Sequence, residues 1–245
     1  MTAPIIQVRR AAERFATQTG WGESRHGFSF GAHYDPGNIG HGALMVNNDE
    51  LVTSGAGFDD HPHADAEIVT WVLSGSLVHT DSSGHSGIVY PGLAQRMSAG
   101  SGIVHAERND AYRIDPSRPE VPVHFIQMWV RPDVSGLPPS YLQRELDLTD
   151  LPGGWVPVAS GSRSEAAISV ASRGSTLWAT TLLPGTARLV PAAPLVHLYV
   201  AEGALHCESV GPLDAGDSVR ITGEAALRLT AGDTPSQVLV WELAA

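Results

Sequence analysis

Cysteine is almost missing from this 245-residue chain: Cys207 stands alone. No internal disulfide can form and a thiolate-rich metal site is excluded, so any bound metal must take nitrogen and oxygen donors. Basic residues are also few, with 15 Lys and Arg against 26 Asp and Glu and a net charge of −11. A surface able to neutralise a run of phosphates is therefore lacking, which argues against direct nucleic-acid binding. Long apolar runs are absent too. No segment approaches the roughly 20 apolar residues that span a bilayer, and the opening "MTAPIIQVRRAAERF" has no apolar core of about 7 to 15 residues such as a signal peptide needs. The expectation is a soluble cytoplasmic protein without a membrane partner.

What is plentiful is punctuation. The 26 Gly and 17 Pro, with only 17% charged residues, suit many turns and few long helices, and so an all-β protein. "HGFSFGAHYDPGNIGHGALMV" at 26–46 mixes aromatic strand formers with turn residues, and "EIVTWVLSGSLVH" at 67–79 reads as strand broken at Gly75. "DSSG" at 81–84 signals a hairpin, and "VPVHFIQMWVRP" at 121–132 is a strand ended by Pro132. The turn-rich stretch that follows is read as a linker over 136–165. Beyond it the pattern recurs: "WVLSGSLVH" aligns with "LYVAEGALHC" when Gly75 is set on Gly203, and "PGLAQRM" then falls near "DAGDSVRI". Two related β units, 1–135 and 166–245, are expected as barrels or sandwiches in tandem.

The chemistry concentrates in "HPHADAE" at 61–67 and "HAE" at 105–107. In extended chain, residues two apart share a face, so His61 and His63 pair, as do His105 and Glu107. Pro62 keeps the first segment extended. If both faces turn into one barrel, three imidazoles and a carboxylate surround one point, a reasonable set of donors for a divalent transition metal. The other eight histidines lack such spacing and are read as surface or core residues. His79 and His85, flanking the "DSSG" turn, are expected to be solvated, and His206 shares no face with Cys207 beside it.

Residues 61–107, with "FSFGAHYDP" at 28–36 and "LMVNNDE" at 44–50 upstream, resemble the signature block of the pirin family, within the cupin superfamily. The resemblance covers most of residues 20–135. It implies a bicupin, two double-stranded β-helix (jelly-roll) barrels in tandem. It also implies a metal held by His61, His63, His105 and Glu107 in the N-terminal barrel. The metal is often Fe(II) in that family, although Ni, Co, Mn, Cu or Zn would accept the same donors. Setting Gly75 on Gly203 and Gly92 on Gly216 puts Leu189, Pro191 and Leu229 where His61, His63 and His105 stand, so the C-terminal barrel is expected to be without ligands.

By the same resemblance, the expected reaction is opening of the heterocyclic ring of quercetin-like flavonols with O2. Glu107 is then the implied base. Glu67, four residues after His63, would share its face in a regular strand and is expected either to assist or to satisfy a backbone or arginine partner. The alternative is a non-catalytic, metal-containing module that binds a regulatory protein partner.

Overall fold

Four runs rich in β-branched and aromatic residues, Glu67–Ser74, Val123–Val130, Leu195–Glu202 and Ser236–Leu243, are strands covered on both faces. They are central strands of two seven-stranded sheets, antiparallel except where Val156–Ser160 meets Ile168–Ser169 at one edge, in a computed structural model that describes residues 3–245. In the first sheet the order is Ser140–Glu145, Leu93–Ser98, Glu67–Ser74, Val123–Val130, Leu44–Val52, Gly22–His26 and Phe15–Thr19. A four-stranded sheet, Gly57–His63, Ile103–Arg108, Leu77–Asp81 and Ser86–Val89, forms the opposite wall of this barrel. The second half repeats the plan, with a four-stranded sheet of Ala187–Leu189, Arg228–Ala231, Ala204–Cys207 and Gly211–Asp214. The fold is all-β, as the composition and the tandem pattern require.

The glycines that revealed the repeat occupy equivalent corners. Gly75 and Gly203 each leave a central strand at φ +75° and +79°. An added Cβ would meet the carbonyl oxygen of Pro122 at 2.6 Å in one case and that of Pro235 at 2.4 Å in the other. Only glycine fits both the conformation and the space.

Strand parity sorts the side chains. Ile68, Thr70 and Val72 point into the first barrel, while Val69 and Trp71 join the core between the two seven-stranded sheets. There Trp71 donates from Nε1 to Gln237 Oε1 at 2.9 Å, and Trp241 donates to Met128 Sδ at 3.2 Å. Two buried arginines stitch the halves in opposite directions. Arg14 donates to the Gly216 carbonyl and Arg220 to that of Gly27.

Two segments pair differently from the sequence reading. Residues 136–165, read as linker, hold Ser140–Glu145, the edge partner of Leu93–Ser98, and Val156–Ser160, which pairs with Ser175–Leu182. The initial strand Ile5–Arg9 pairs with Ser218–Thr222 of the far sheet. Leu93–Ser98 and Ser218–Thr222 both lie far in sequence from the strands they pair with, so local composition carried no sign of those two pairings. Among the described residues no helix is long and apolar enough to cross a membrane.

Candidate metal centre

Gly57–His63 and Ile103–Arg108 run antiparallel, with His105 opposite His61 and Ile103 opposite His63. A one-residue bulge between His105 and Glu107 shifts the register, so Glu107 faces Phe58. His61, His63 and His105 consequently point into the barrel together. Their ring centres lie 4.4 Å (His61–His105), 4.8 Å (His61–His63) and 4.9 Å (His63–His105) apart. One ring nitrogen from each lies within 4.8 Å of the others. Two donors on one metal, each at about 2.1 Å from it, are at most about 4.2 Å apart, so the rings need only a small inward movement.

Their protonation suits that task. His61 Nδ1 is 2.7 Å from the Asp59 carbonyl, which can only accept, so Nδ1 carries the hydrogen and Nε2 offers its lone pair. His63 Nε2 and both nitrogens of His105 are buried with no hydrogen-bond partner. Such orphans are rare in a finished interior; a cation among them would satisfy their lone pairs. Burial, then the neighbouring His105 and His61 rings, pushes His63 down to about 4. Burial, then His61 and His79, pushes His105 down to about 3. Both are therefore neutral at pH 7, the form that binds metal.

Glu107 is buried and fixed from behind. Gln127 donates from Nε2 to Glu107 Oε2 at 2.6 Å, and Trp129 donates from Nε1 to Gln127 Oε1 at 3.0 Å. Gln127 and Trp129 are two apart on Val123–Val130 and share the inward face. The Trp129 ring also stands edge-on to His63 at 4.7 Å. His105 belongs to a second triplet as well, with His79 and Glu107, whose donor atoms also lie within 4.8 Å of one another. On the outer side His63 borders an open cavity of about 520 Å³ lined by Pro62, Ala64, Ser82, Ile103 and Val104.

Glu67 lies elsewhere. Asp65, at φ +49°, breaks the strand between His63 and Glu67, so the four-residue spacing does not preserve the face. The Glu67 carboxylate points toward the other half, accepting from the Ala171 backbone N–H at 2.9 Å and standing 3.9 Å from Arg96 Nε. It meets a backbone and an arginine, not the imidazoles.

His79 corrects the expectation of a solvated side chain. It is 1% exposed, because Leu77–Asp81 pairs with Ile103–Arg108 and sets His79 directly opposite Glu107. The signal was present in "LVHTD": Leu77 and His79 alternate on one face, and Asp81, two further on, can hold the ring. His85 is indeed partly exposed, and it contacts Asp81 at 3.2 Å. Trp71 and Met128 are core between the sheets, Met97 lies in the core of the first barrel, and Phe30 packs on Trp129.

Among the described residues, both triplets lie in the first barrel. The matching interior of the second is apolar, built from Leu205, Cys207, Leu213 and Leu229.

The chain is 51% identical to a Mycobacterium tuberculosis protein, provisionally named a quercetin 2,3-dioxygenase, over 99% of this chain and 96% of that one. It is 35% identical to the quercetin 2,3-dioxygenase of Escherichia coli K12, over 98% and 99% of the two chains. The crystal structure of the Escherichia coli pirin YhhW in complex with nickel(II) superposes with a TM-score of 0.85 at 33% identity, over 98% of this chain and 99% of that one. The Pirin family model matches residues 7–130, the stretch that builds the barrel with the converging imidazoles. With one barrel matched by that model and relatives above 30% identity along nearly the whole length, the chain belongs to the pirin family.

Proposed function

We propose that the chain is a metal-dependent dioxygenase that opens the heterocyclic ring of quercetin-like flavonols, with one divalent transition metal held by His61, His63, His105 and Glu107. The observation that carries this reading is the convergence of three imidazoles on one point, with buried unpartnered nitrogens on His63 and His105. Nitrogen and carboxylate donors without thiolate suit Fe(II) and Ni(II) alike. The nickel(II) in the Escherichia coli relative and the dioxygenase names of the relatives support both halves of the proposal. When bound, the metal would acidify the flavonol hydroxyl and bring the reactants together.

The chain's own residues supply the remainder. On the inner face the Trp129 ring, edge-on to His63 at 4.7 Å, and the Phe58 ring beside His61 offer aromatic surface to flat rings. Glu107 Oε2 is occupied by Gln127, so Oε1 would hold the metal and, on loosening from it, take the hydroxyl proton of the substrate. Residues 1–135 would bear the chemistry, and 166–245 would brace that barrel through the shared core.

Quercetin turnover tests the proposal. Loss of the flavonol absorbance is expected only with metal and O2 present, and not in a His105→Ala variant. No turnover with Fe(II), Ni(II), Co(II), Mn(II) or Cu(II) would overturn it and favour a non-catalytic module with a protein partner.

A further inference from the structure

His79 has no part in the four-ligand set, yet it is built as a metal-binding ring is built. Its Nε2 lies 3.2 Å from Asp81 Oδ2. A carboxylate accepts, so Nε2 carries the hydrogen and the Nδ1 lone pair projects from the other side of the ring. That carboxylate is itself buried and held, with Oδ1 accepting from the backbone N–H groups of Ser83 at 2.8 Å and His85 at 3.2 Å. Tyr141 packs against the imidazole at 4.9 Å between ring centres. An imidazole fixed from behind by a carboxylate is the usual support of a metal ligand. The projecting Nδ1 is buried and has no partner.

Three further facts point the same way. The donor atoms of His79, His105 and Glu107 lie within 4.8 Å of one another and all three residues are buried. Glu107 is grouped with His79 and His105, while His61 and His63 group with His105. Both nitrogens of His105 are unpartnered, so this one ring can serve either group.

We propose that His79, His105 and Glu107 form a second, inner position for a divalent transition metal, overlapping the outer position of His61, His63 and His105 through the shared His105 ring. The proposal rests on the reading of the outer triplet as a metal site. A neutral imidazole has one lone pair, so the two positions are alternatives and the chain holds one ion at a time. Closing either triplet to the roughly 4.2 Å that a common ion allows takes movements below about 1 Å.

Copper(II) titration followed by electron paramagnetic resonance and elemental analysis tests this on the full chain. The wild type is expected to bind one Cu(II). His61→Ala/His63→Ala removes two outer donors and leaves the inner triplet whole, so it should still bind one Cu(II), about 10- to 100-fold more weakly and with an altered signal. Adding His79→Ala should abolish binding. The inner position is overturned if the wild type binds and the double variant does not, or if the added His79→Ala changes neither affinity nor signal. The outer reading fails instead if the wild type and double variant bind alike. Circular dichroism checks folding, and the single variants His61→Ala and His63→Ala, each keeping the inner triplet, give the same comparison if the double variant does not fold.

Discussion

His105 faces His61 directly across the antiparallel pair of Gly57–His63 and Ile103–Arg108, and their ring centres are 4.4 Å apart. His105 is also the residue common to both triplets of donor atoms. Replacing it should therefore do more harm than replacing any other candidate ligand. In His105→Ala, metal per chain measured by elemental analysis should fall at least about tenfold, against a smaller loss for His63→Ala, which keeps His79, His105 and Glu107 together. Equal metal content in His105→Ala and wild type would show that these imidazoles hold no ion.

Gln127 is predicted to act through Glu107. Its amide donates at 2.6 Å to Glu107 Oε2 and is fixed in turn by Trp129. Gln127→Leu keeps the bulk and removes the donor, leaving the carboxylate free to swing. Flavonol turnover should fall about 10- to 100-fold, the usual cost of losing a partner that orients a ligand. Trp129→Phe, which loosens only the amide, should cost less. Gln127→Leu with unchanged turnover and metal affinity would mean that Glu107 needs no such hold.

Glu67→Gln should leave metal content and turnover unchanged and lower stability. The carboxylate is 2% exposed and accepts from Ala171 N–H, with Arg96 3.9 Å away. Weakening a buried charge-assisted hydrogen bond costs about 1 to 3 kcal/mol, visible as a lower urea midpoint. A fall in turnover at full metal content and unchanged stability would instead return Glu67 to the reaction.

The difference between Glu67 and Glu107 marks how far the sequence could be read. Glu107 was legible because it stands two residues from His105 within one strand, where parity holds across the bulge. Glu67 stands four from His63, but Ala64–Ala66 form a turn, and parity counted through a turn carries no information. The repeat was legible through Gly75 and Gly203, since a left-handed corner against a backbone carbonyl tolerates nothing else. For His79 the sequence held the face shared with Leu77, but its closeness to a turn masked what that face would meet. A hairpin fixes where a strand reverses, not which wall it joins, and the pairing with Ile103–Arg108 that buries His79 comes from more than 20 residues away. The pairing of Ile5–Arg9 with Ser218–Thr222 was hidden for the same reason, at far greater separation.

Glu50 gives the fold a predictable pH dependence. It lies 4% exposed and accepts from Ser24 Oγ. Burial is the main cause that raises its carboxyl to about 8; the Ser24 hydrogen bond opposes this, and the charges of Glu107 and Asp49 add to it. Below about pH 4.5 Glu50 is protonated folded or unfolded and contributes no slope. Between about 4.5 and about 8 the unfolded chain has released the proton that the folded chain keeps, so this group lowers stability as pH rises. Above about 8 both states are ionised and its contribution is constant. For the metal-free protein, urea unfolding at pH 5 and pH 8 should show a smaller loss of stability in Glu50→Gln than in wild type, by an amount on the order of a few kcal/mol. Identical losses in the two proteins would mean that Glu50 ionises inside the barrel as readily as in water, with a counter-charge or solvent reaching it there.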